Sequence, residues 1–351
     1  CNLKCKHCLE GDKLHKDGLS FEQIKRIVDD ASSMGANEIV LTGGEPFMRK
    51  DIVKIIDYID SHQMKVTLFT NGTIISDDFF FEMKDKNVFI RVSLEGPNAE
   101  INDNIRGQGS FAATIDTMRR CKENGIRLGV AITVTSSNFN TYKDVIALAH
   151  KYGAEEIEAS DIIDMGNASL NRELLLTEDQ LVQLRIETLA MMETDPALTR
   201  GMGLDRPEYD PSFNRRESRL ASKCCNAGIA NCVIDTNGDV YPCLMFVDKP
   251  EFICGNISEV PFRDLWWGCS VFDRFRNLYM KDIPTCASCE MVEECAGGCR
   301  AIAYLRSGNL LGPTDKTYCA VTKRAVALFK QSELAEKVKL TQEKILAEGD
   351  E

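Results

Sequence analysis

Two hydrophobic periods alternate through the first half of the chain. The stretch "LSFEQIKRIVDDASSMG" (19–35) spaces its apolar residues for one helix face, with Ser20 and Gln23 placed as a capping box and Gly35 as a stop. The apolar run "EIVLT" follows at once and reads as a strand. Helix signals at 50–62, 76–86, 110–124 and 139–152 then alternate with the strand runs "KVTLFT", "VFIRVSL", "IRLGVAITVT" and "IEASDII". Gly125 and Gly153 repeat the role of Gly35. The chain begins on Cys1 without an initiator methionine, and counting a strand expected upstream gives about six β/α units. Such alternation predicts a parallel sheet, open or a partial barrel, with functional loops at the carboxyl ends of its strands.

The pattern then changes. A capped helix, "TEDQLVQLRIETLAMM", leads into a Pro-, Arg- and Asp-rich stretch over 200–223 that reads as a linker or long loop. An amphipathic helical pattern runs from about Ala320 to Ala347. The expected organisation is a barrel over 1–165, a helix and linker over 166–223, a cysteine-rich module over 224–320 and a terminal helix over 321–351.

Composition narrows the class. With 351 residues, 44% of them hydrophobic and 27% charged, the chain is that of an ordinary globular protein, with no apolar run long enough to span a membrane. A net charge of −12 argues against a nucleic-acid partner. The basic residues Arg206, Arg215, Arg216 and Arg219 are open to two readings, a site for an acidic substrate or a solvated linker.

Fifteen cysteines change the picture most. Disulfide scaffolds are small and loop-rich, whereas this chain has long regular segments, so the thiols are expected to be metal ligands in a reducing, cytoplasmic compartment. Cys1, Cys5 and Cys8 open the chain as C-x3-C-x2-C, with no further cysteine before Cys121. A closed four-ligand site needs one more, so three thiols leave one coordination position for a group that is not protein. Four stretches fall at predicted strand ends and would converge: the cysteine loop, "GGEP" (43–46), "TNG" (70–72) and "SLEG" (93–96).

The C-x3-C-x2-C loop followed by a "GGEP" strand end resembles the radical S-adenosylmethionine superfamily. The resemblance implies a [4Fe–4S] cluster on Cys1, Cys5 and Cys8, with S-adenosylmethionine chelating the fourth iron and releasing a 5′-deoxyadenosyl radical on reduction. It implies that Gly43, Gly44, Glu45 and Pro46 form the strand end that receives the methionine ammonium. Asn71 and Ser93 match ribose or methionine contacts, and Arg106 matches an arginine that pairs with the methionine carboxylate; the alternative for Arg106 is a surface arginine. His7 stands where the family has an aromatic residue beside the adenine, the alternative being a solvent-facing imidazole.

Eleven of the fifteen cysteines lie between Cys224 and Cys319. In "CVIDTNGDVYPC" the Asn237–Gly238 pair predicts a two-residue hairpin loop, which would set Cys232 directly opposite Cys243. Cys286, Cys289, Cys295 and Cys299 follow as C-x2-C-x5-C-x3-C, then Cys319. Together with Cys225, Gly238 and Cys243 this resembles the SPASM domain and its two auxiliary [4Fe–4S] clusters. The resemblance implies an inner cluster on Cys225, Cys232, Cys243 and Cys299, with Cys224 or Cys254 as alternatives to Cys232. It implies an outer cluster on Cys286, Cys289, Cys295 and Cys319, and three clusters in all. Cys121 and Cys269 read as small buried hydrophobes.

The expected fold is therefore α/β, a partial (β/α)6 barrel of TIM type followed by a small SPASM domain. The expected function is abstraction of hydrogen from a peptide or protein substrate, closest to maturases of ribosomally made peptides such as the mycofactocin type. An electron donor of flavodoxin or ferredoxin type and a separate or upstream leader-binding domain are implied partners. A tetrapyrrole propionate decarboxylase is the alternative enzyme, and an iron–sulfur electron carrier the alternative class. Sulfatase maturases carry an aspartate after the G-x4-C cysteine; here Leu244 stands there, and the nearest downstream carboxylate, Asp248, would lie more than about 10 Å away on an extended strand.

Overall fold

The computed structural model describes residues 1–11, 18–199, 215–295, 297–314 and 316–332. They form two compact units, one from the described residues of 1–14 and 32–201, the other from those of 15–31 and 202–336. Arg206 and everything beyond residue 332 lie outside the described residues, as does that part of the expected terminal helix.

After α1 (Phe21–Ser33), which belongs mostly to the second unit, strands and helices alternate in the first. They are β1 (Glu38–Leu41), α2 (Ile52–Ser61), β2 (Lys65–Thr70), α3 (Asp77–Met83), β3 (Val88–Ser93), α4 (Ala99–Arg106), α5 (Ser110–Asn124), β4 (Arg127–Val134), α6 (Tyr142–Lys151), β5 (Glu156–Asp161), α7 (Glu178–Thr194) and β6 (Leu198–Thr199). The six strands are parallel and ordered as in sequence, an open sheet rather than a closed barrel. Val66, Leu68, Ile90, Val92, Leu128, Val130, Ile132 and Ile157 are buried, alternating with more polar positions such as Arg91, Ser93 and Glu158, as a sheet with two distinct faces requires. Sequential parallel order brings the carboxyl ends of β1 to β5 to one rim.

Two elements differ from expectation. Residues 99–106 form α4, started by Asn98, whose side chain accepts from the Ile101 N–H. The capped helix over 178–194 forms as expected, but β6 was not anticipated, and by pairing with β5 it extends the first unit to about residue 199.

In the second unit, α1 has the expected capping box: the Ser20 N–H donates to Gln23 Oε1 at 2.9 Å and the Gln23 N–H to Ser20 Oγ at 3.3 Å. Short elements follow: α8 (Arg215–Ala221), β7 (Val233–Ile234), β8 (Val240–Tyr241), α9 (Phe262–Gly268), α10 (Ser270–Arg276), α11 (Pro284–Ala287), α12 (Val292–Cys295), α13 (Arg300–Ser307) and α14 (Lys316–Lys330). Their core is aromatic, with Phe246 stacked on Phe252 at 4.0 Å between ring centres and Phe275 and Tyr304 packed edge-on. The basic stretch of 200–223 is in part helical, and Arg216 donates to the carbonyls of Ala287 and Cys289.

The β7–β8 hairpin forms, but in another register. Val233 pairs with Tyr241 and Ile234 with Val240, so the loop holds three residues, and continuing that register puts Cys232 opposite Pro242. Asp235 causes the slip. Its Oδ1 accepts from the N–H groups of Asn237 at 2.8 Å and Asp239 at 3.0 Å, and Gly238 turns left-handed at φ +91°. A one-residue shift changes which side chains share a face, so Cys232 and Cys243 do not oppose each other.

Candidate functional site

The cysteine loop has little regular structure of its own, and its backbone is held by two distant elements. From α4, the Ile105 carbonyl accepts from the Lys6 N–H at 2.9 Å, and the Arg106 carbonyl takes the Cys5 thiol at 3.7 Å. From the turn after β5, the Asn167 N–H donates to the Cys8 carbonyl at 2.8 Å and its side-chain amide to the Cys5 carbonyl at 3.0 Å. Asn171 donates to the Lys6 carbonyl at 3.2 Å. Gly166 makes this approach possible: at φ +56°, a Cβ there would lie 2.3 Å from the Leu9 oxygen. Cys5 is buried, Cys8 half-buried and Cys1 exposed. Burial pushes the Cys5 thiol up, and the Arg106 guanidinium opposes that shift.

The other strand ends meet this loop. Gly44 abuts Cys1, whose nitrogen would lie 3.3 Å from a Cβ added at Gly44. Glu45 is buried and accepts three hydrogen bonds, from the Thr70 hydroxyl at 2.8 Å, the Asn71 N–H at 2.8 Å and the Phe47 N–H at 3.2 Å. Burial raises its pKa, while the N–H of Asn71 and the hydroxyl of Thr70 pull the other way. Pro46 opens the short turn that follows. Asn71 links back to the cysteine loop, donating to Asn2 Oδ1 at 2.8 Å, with the Cys1 sulfur at 3.9 Å. Gly43 is left-handed at φ +108°, and Ser93 is the last residue of β3.

Neither His7 nor Arg106 is a surface group. Both face Glu95, a carboxylate 1% exposed at the end of β3: Arg106 Nη1 donates to Glu95 Oε2 at 2.7 Å, and His7 Nε2 lies 3.5 Å from Oε1. Burial lowers the His7 pKa, while the charge of Glu95 acts to raise it. His7 Nδ1 and Arg106 Nε are buried without a hydrogen-bond partner. Buried polar atoms are rarely left so, and a guanidinium held by Nη1 alone keeps its Nε–Nη2 edge for a second carboxylate. Three thiols on one loop, an adjoining buried carboxylate and a free guanidinium edge fit a cluster that binds an amino acid.

In the second unit the thiols sort into neighbourhoods. Cys286, Cys289, Cys295 and Cys319 line one cavity with Met280, Val292 and Gly297. Cys225, Cys243 and Cys299 pack against the core of Tyr241, Phe246, Phe252 and Phe275. Burial pushes Cys243 up to about 12, with Cys299 and Cys225 adding to the shift. Cys224 packs with Met280 and Ile283 on the other side, together with Cys286. Cys232 lies outside both of these groups: burial pushes it up to about 12, and the charge it senses is that of Arg276. Cys254 senses Cys269 and Cys232, and Cys269, expected to be buried, is half-buried beside that thiol. Cys121 is fully buried, and every cysteine is free of disulfides. Among the described residues no three His, Cys, Asp or Glu are placed to hold one metal ion. Leu244 to Phe246 form a short 3-10 turn, so the extended-strand separation expected between Leu244 and Asp248 does not hold.

The sequence reading missed Gly166, Asn167 and Asn171, which carry no motif and act through the fold. Glu95 was inside "SLEG", and a carboxylate eleven residues before Arg106 was the available signal.

The family model described as the radical SAM superfamily matches residues 1–152, and that described as an iron–sulfur cluster-binding domain, SPASM, matches residues 224–290. Mycofactocin maturase MftC of Mycolicibacterium smegmatis is 31% identical over 339 residues, covering 94% of this chain and 83% of that protein. An AdoMet-dependent heme synthase of Oleidesulfovibrio alaskensis is 27% identical, covering 88% of this chain and 82% of its own. Among solved structures the fold is similar to Streptococcus suis SuiB bound to S-adenosylmethionine, with TM-score 0.72 and 18% identity over 90% of this chain and 74% of that one. It is similar also to anSMEcpe with bound AdoMet, with TM-score 0.72 and 17% identity over 97% and 96% of the two chains. Among the described residues no helix is long and apolar enough to cross a membrane.

Proposed function

The chain belongs to the radical S-adenosylmethionine superfamily and carries a SPASM domain, and on that premise we propose that this enzyme abstracts hydrogen from a peptide substrate during post-translational modification. When bound, the cluster and S-adenosylmethionine would supply hydrogen-atom abstraction through a 5′-deoxyadenosyl radical. The residues of the chain hold and orient. Cys1, Cys5 and Cys8 would hold iron, and the clamp from Asn167 and α4 fixes the spacing of their loop. Gly43, Gly44 and Glu45 would receive the ammonium group, the remaining acceptor capacity of Glu45 facing a cation. Arg106 would take the carboxylate through its free edge, with His7, Asn71 and Ser93 beside the nucleoside.

In the second unit, Cys286, Cys289, Cys295 and Cys319 would hold an outer auxiliary cluster and Cys225, Cys243 and Cys299 most of an inner one, making three clusters. Four thiols arranged around one cavity suit a polynuclear cluster. Ligands of this kind suit a cytoplasmic location, with a flavodoxin or ferredoxin supplying electrons. The observation that carries the peptide reading is the 31% identity to a mycofactocin maturase along 94% of the chain. The likeness to AdoMet-dependent heme synthases keeps a tetrapyrrole substrate as the second reading.

The test is anaerobic reconstitution followed by dithionite and S-adenosylmethionine. About twelve irons per chain and release of 5′-deoxyadenosine are expected. Replacing Cys1, Cys5 and Cys8 together with Ala removes about four irons and all cleavage. A fully reconstituted protein with about four irons would contradict the auxiliary clusters.

A further inference from the structure

Among the described residues Arg300 is the largest side chain to be completely buried, at 0% exposure. Its guanidinium spends its donors on neutral groups. Nη1 donates to the carbonyls of Leu310 at 3.0 Å and Gly312 at 2.9 Å, Nη2 to the Thr314 hydroxyl at 2.8 Å and the Gly297 carbonyl, and Nε to the Gly298 carbonyl at 3.4 Å. Among the described residues no carboxylate is its partner. Hydrogen bonds satisfy the N–H groups but leave the charge uncompensated, and an isolated buried charge is among the costliest features a fold can carry.

Its position names the counter-charge. Arg300 follows Cys299 directly, and Leu310 belongs to the core against which Cys225, Cys243 and Cys299 pack. On its other side, Gly297 lines the cavity of Cys286, Cys289, Cys295 and Cys319. Arg300 thus stands between the two thiol sets.

We propose that Arg300 is the shared electrostatic partner of the two auxiliary clusters, its charge balanced by their thiolates and raising the reduction potential of both. The inference rests on the cluster reading above. A four-iron cluster on thiolates carries net negative charge and gains another on reduction, so a fixed cation nearby favours the reduced state. Taking up an electron from an outside donor, or from the substrate, is then easier at both sites.

The test compares anaerobically reconstituted full-length wild type, R300Q and R300K by iron analysis and EPR-monitored redox titration. R300Q keeps polar contacts and loses the charge; R300K keeps the charge and loses most of the fork. The expected result is a shift of both auxiliary signals to more negative potential in R300Q, with R300K close to wild type. If R300Q fails to hold auxiliary iron while R300K holds it, charge compensation is likewise supported. An iron-loaded R300Q with wild-type potentials overturns the inference, as does a loss of iron or shift of equal size in R300K, which would make the hydrogen bonds the whole role. Wild type that binds no iron through residues 225–319 would overturn the cluster reading itself.

Discussion

Asn167 reaches back 162 residues to donate its side-chain amide to the Cys5 carbonyl at 3.0 Å, while its own N–H takes the Cys8 carbonyl. One residue therefore fixes both ends of the segment between two of the three thiols. Asn167→Ala removes the first bond and leaves a carbonyl of the loop without its partner, a loss of about 1 kcal/mol. The expected outcome is faster loss of the first cluster in limited air, with the iron of residues 225–319 unaffected, followed by EPR of the separately reducible signals. Gly166→Ala has a stronger effect, because its Cβ would meet the Cys8 and Leu9 carbonyls.

Arg106→Ala acts twice. It removes the free guanidinium edge, which lowers affinity for S-adenosylmethionine by roughly ten- to a hundredfold, the equivalent of one charge-assisted contact. It also strands Glu95, which is buried with His7 as its remaining neighbour. Pairing the change with Glu95→Gln is expected to restore thermal stability without restoring binding. Binding measured by calorimetry on iron-loaded protein and unfolding by circular dichroism separate the two. If both recover together, Arg106 has no direct contact with the ligand.

The hairpin register bears on the inner thiol set. Cys225→Ala, Cys243→Ala and Cys299→Ala are each expected to release the inner cluster, about four irons. Cys232→Ala is expected to leave iron content unchanged, since Cys232 stands beside Arg276 rather than opposite Cys243. Iron analysis of the four variants decides it, and loss of iron in Cys232→Ala would restore Cys232 as an inner-cluster ligand.

The α/β alternation was legible because burial imposes it residue by residue: the runs "KVTLFT" and "VFIRVSL" became β2 and β3, and Gly125 became a left-handed cap at φ +67°. The cysteine loop was legible because its spacing is local. What could not be read is set by tertiary contact. The clamp of Asn167 joins segments distant in sequence, and the turn of His7 and Arg106 toward Glu95 depends on how the cysteine loop, α4 and β3 pack. The hairpin slipped by one residue because Asp235 captures two N–H groups, a competition that the Asn–Gly signal does not reveal.

Asp103 gives a pH-dependent check on the scaffold under Arg106. Its carboxylate accepts from the N–H groups of Gly109 at 2.7 Å and Phe111 at 2.8 Å, closing the turn from α4 into α5. Although burial acts to raise its pKa, these N–H groups and the Ser110 hydroxyl hold it below the usual range. A depressed folded-state pKa contributes stability that is present above the ordinary aspartate range and lost as pH falls through the folded value. Asp103→Ala is expected to cost about 1 kcal/mol near neutral pH and to approach wild type in acid, read from urea unfolding at several pH values. A difference independent of pH would assign the residue no charged role.

The source of the abstracted hydrogen separates a peptide substrate from a tetrapyrrole. The reduced, iron-loaded enzyme should be incubated with S-adenosylmethionine and a candidate precursor peptide deuterated at its side chains, with its leader-binding partner supplied, and the 5′-deoxyadenosine examined by mass spectrometry. Deuterium in 5′-deoxyadenosine, together with a mass change in the peptide, is the predicted result. Deuterium transferred instead from a labelled tetrapyrrole propionate, with none from any peptide, would contradict the peptide reading and leave the radical chemistry standing.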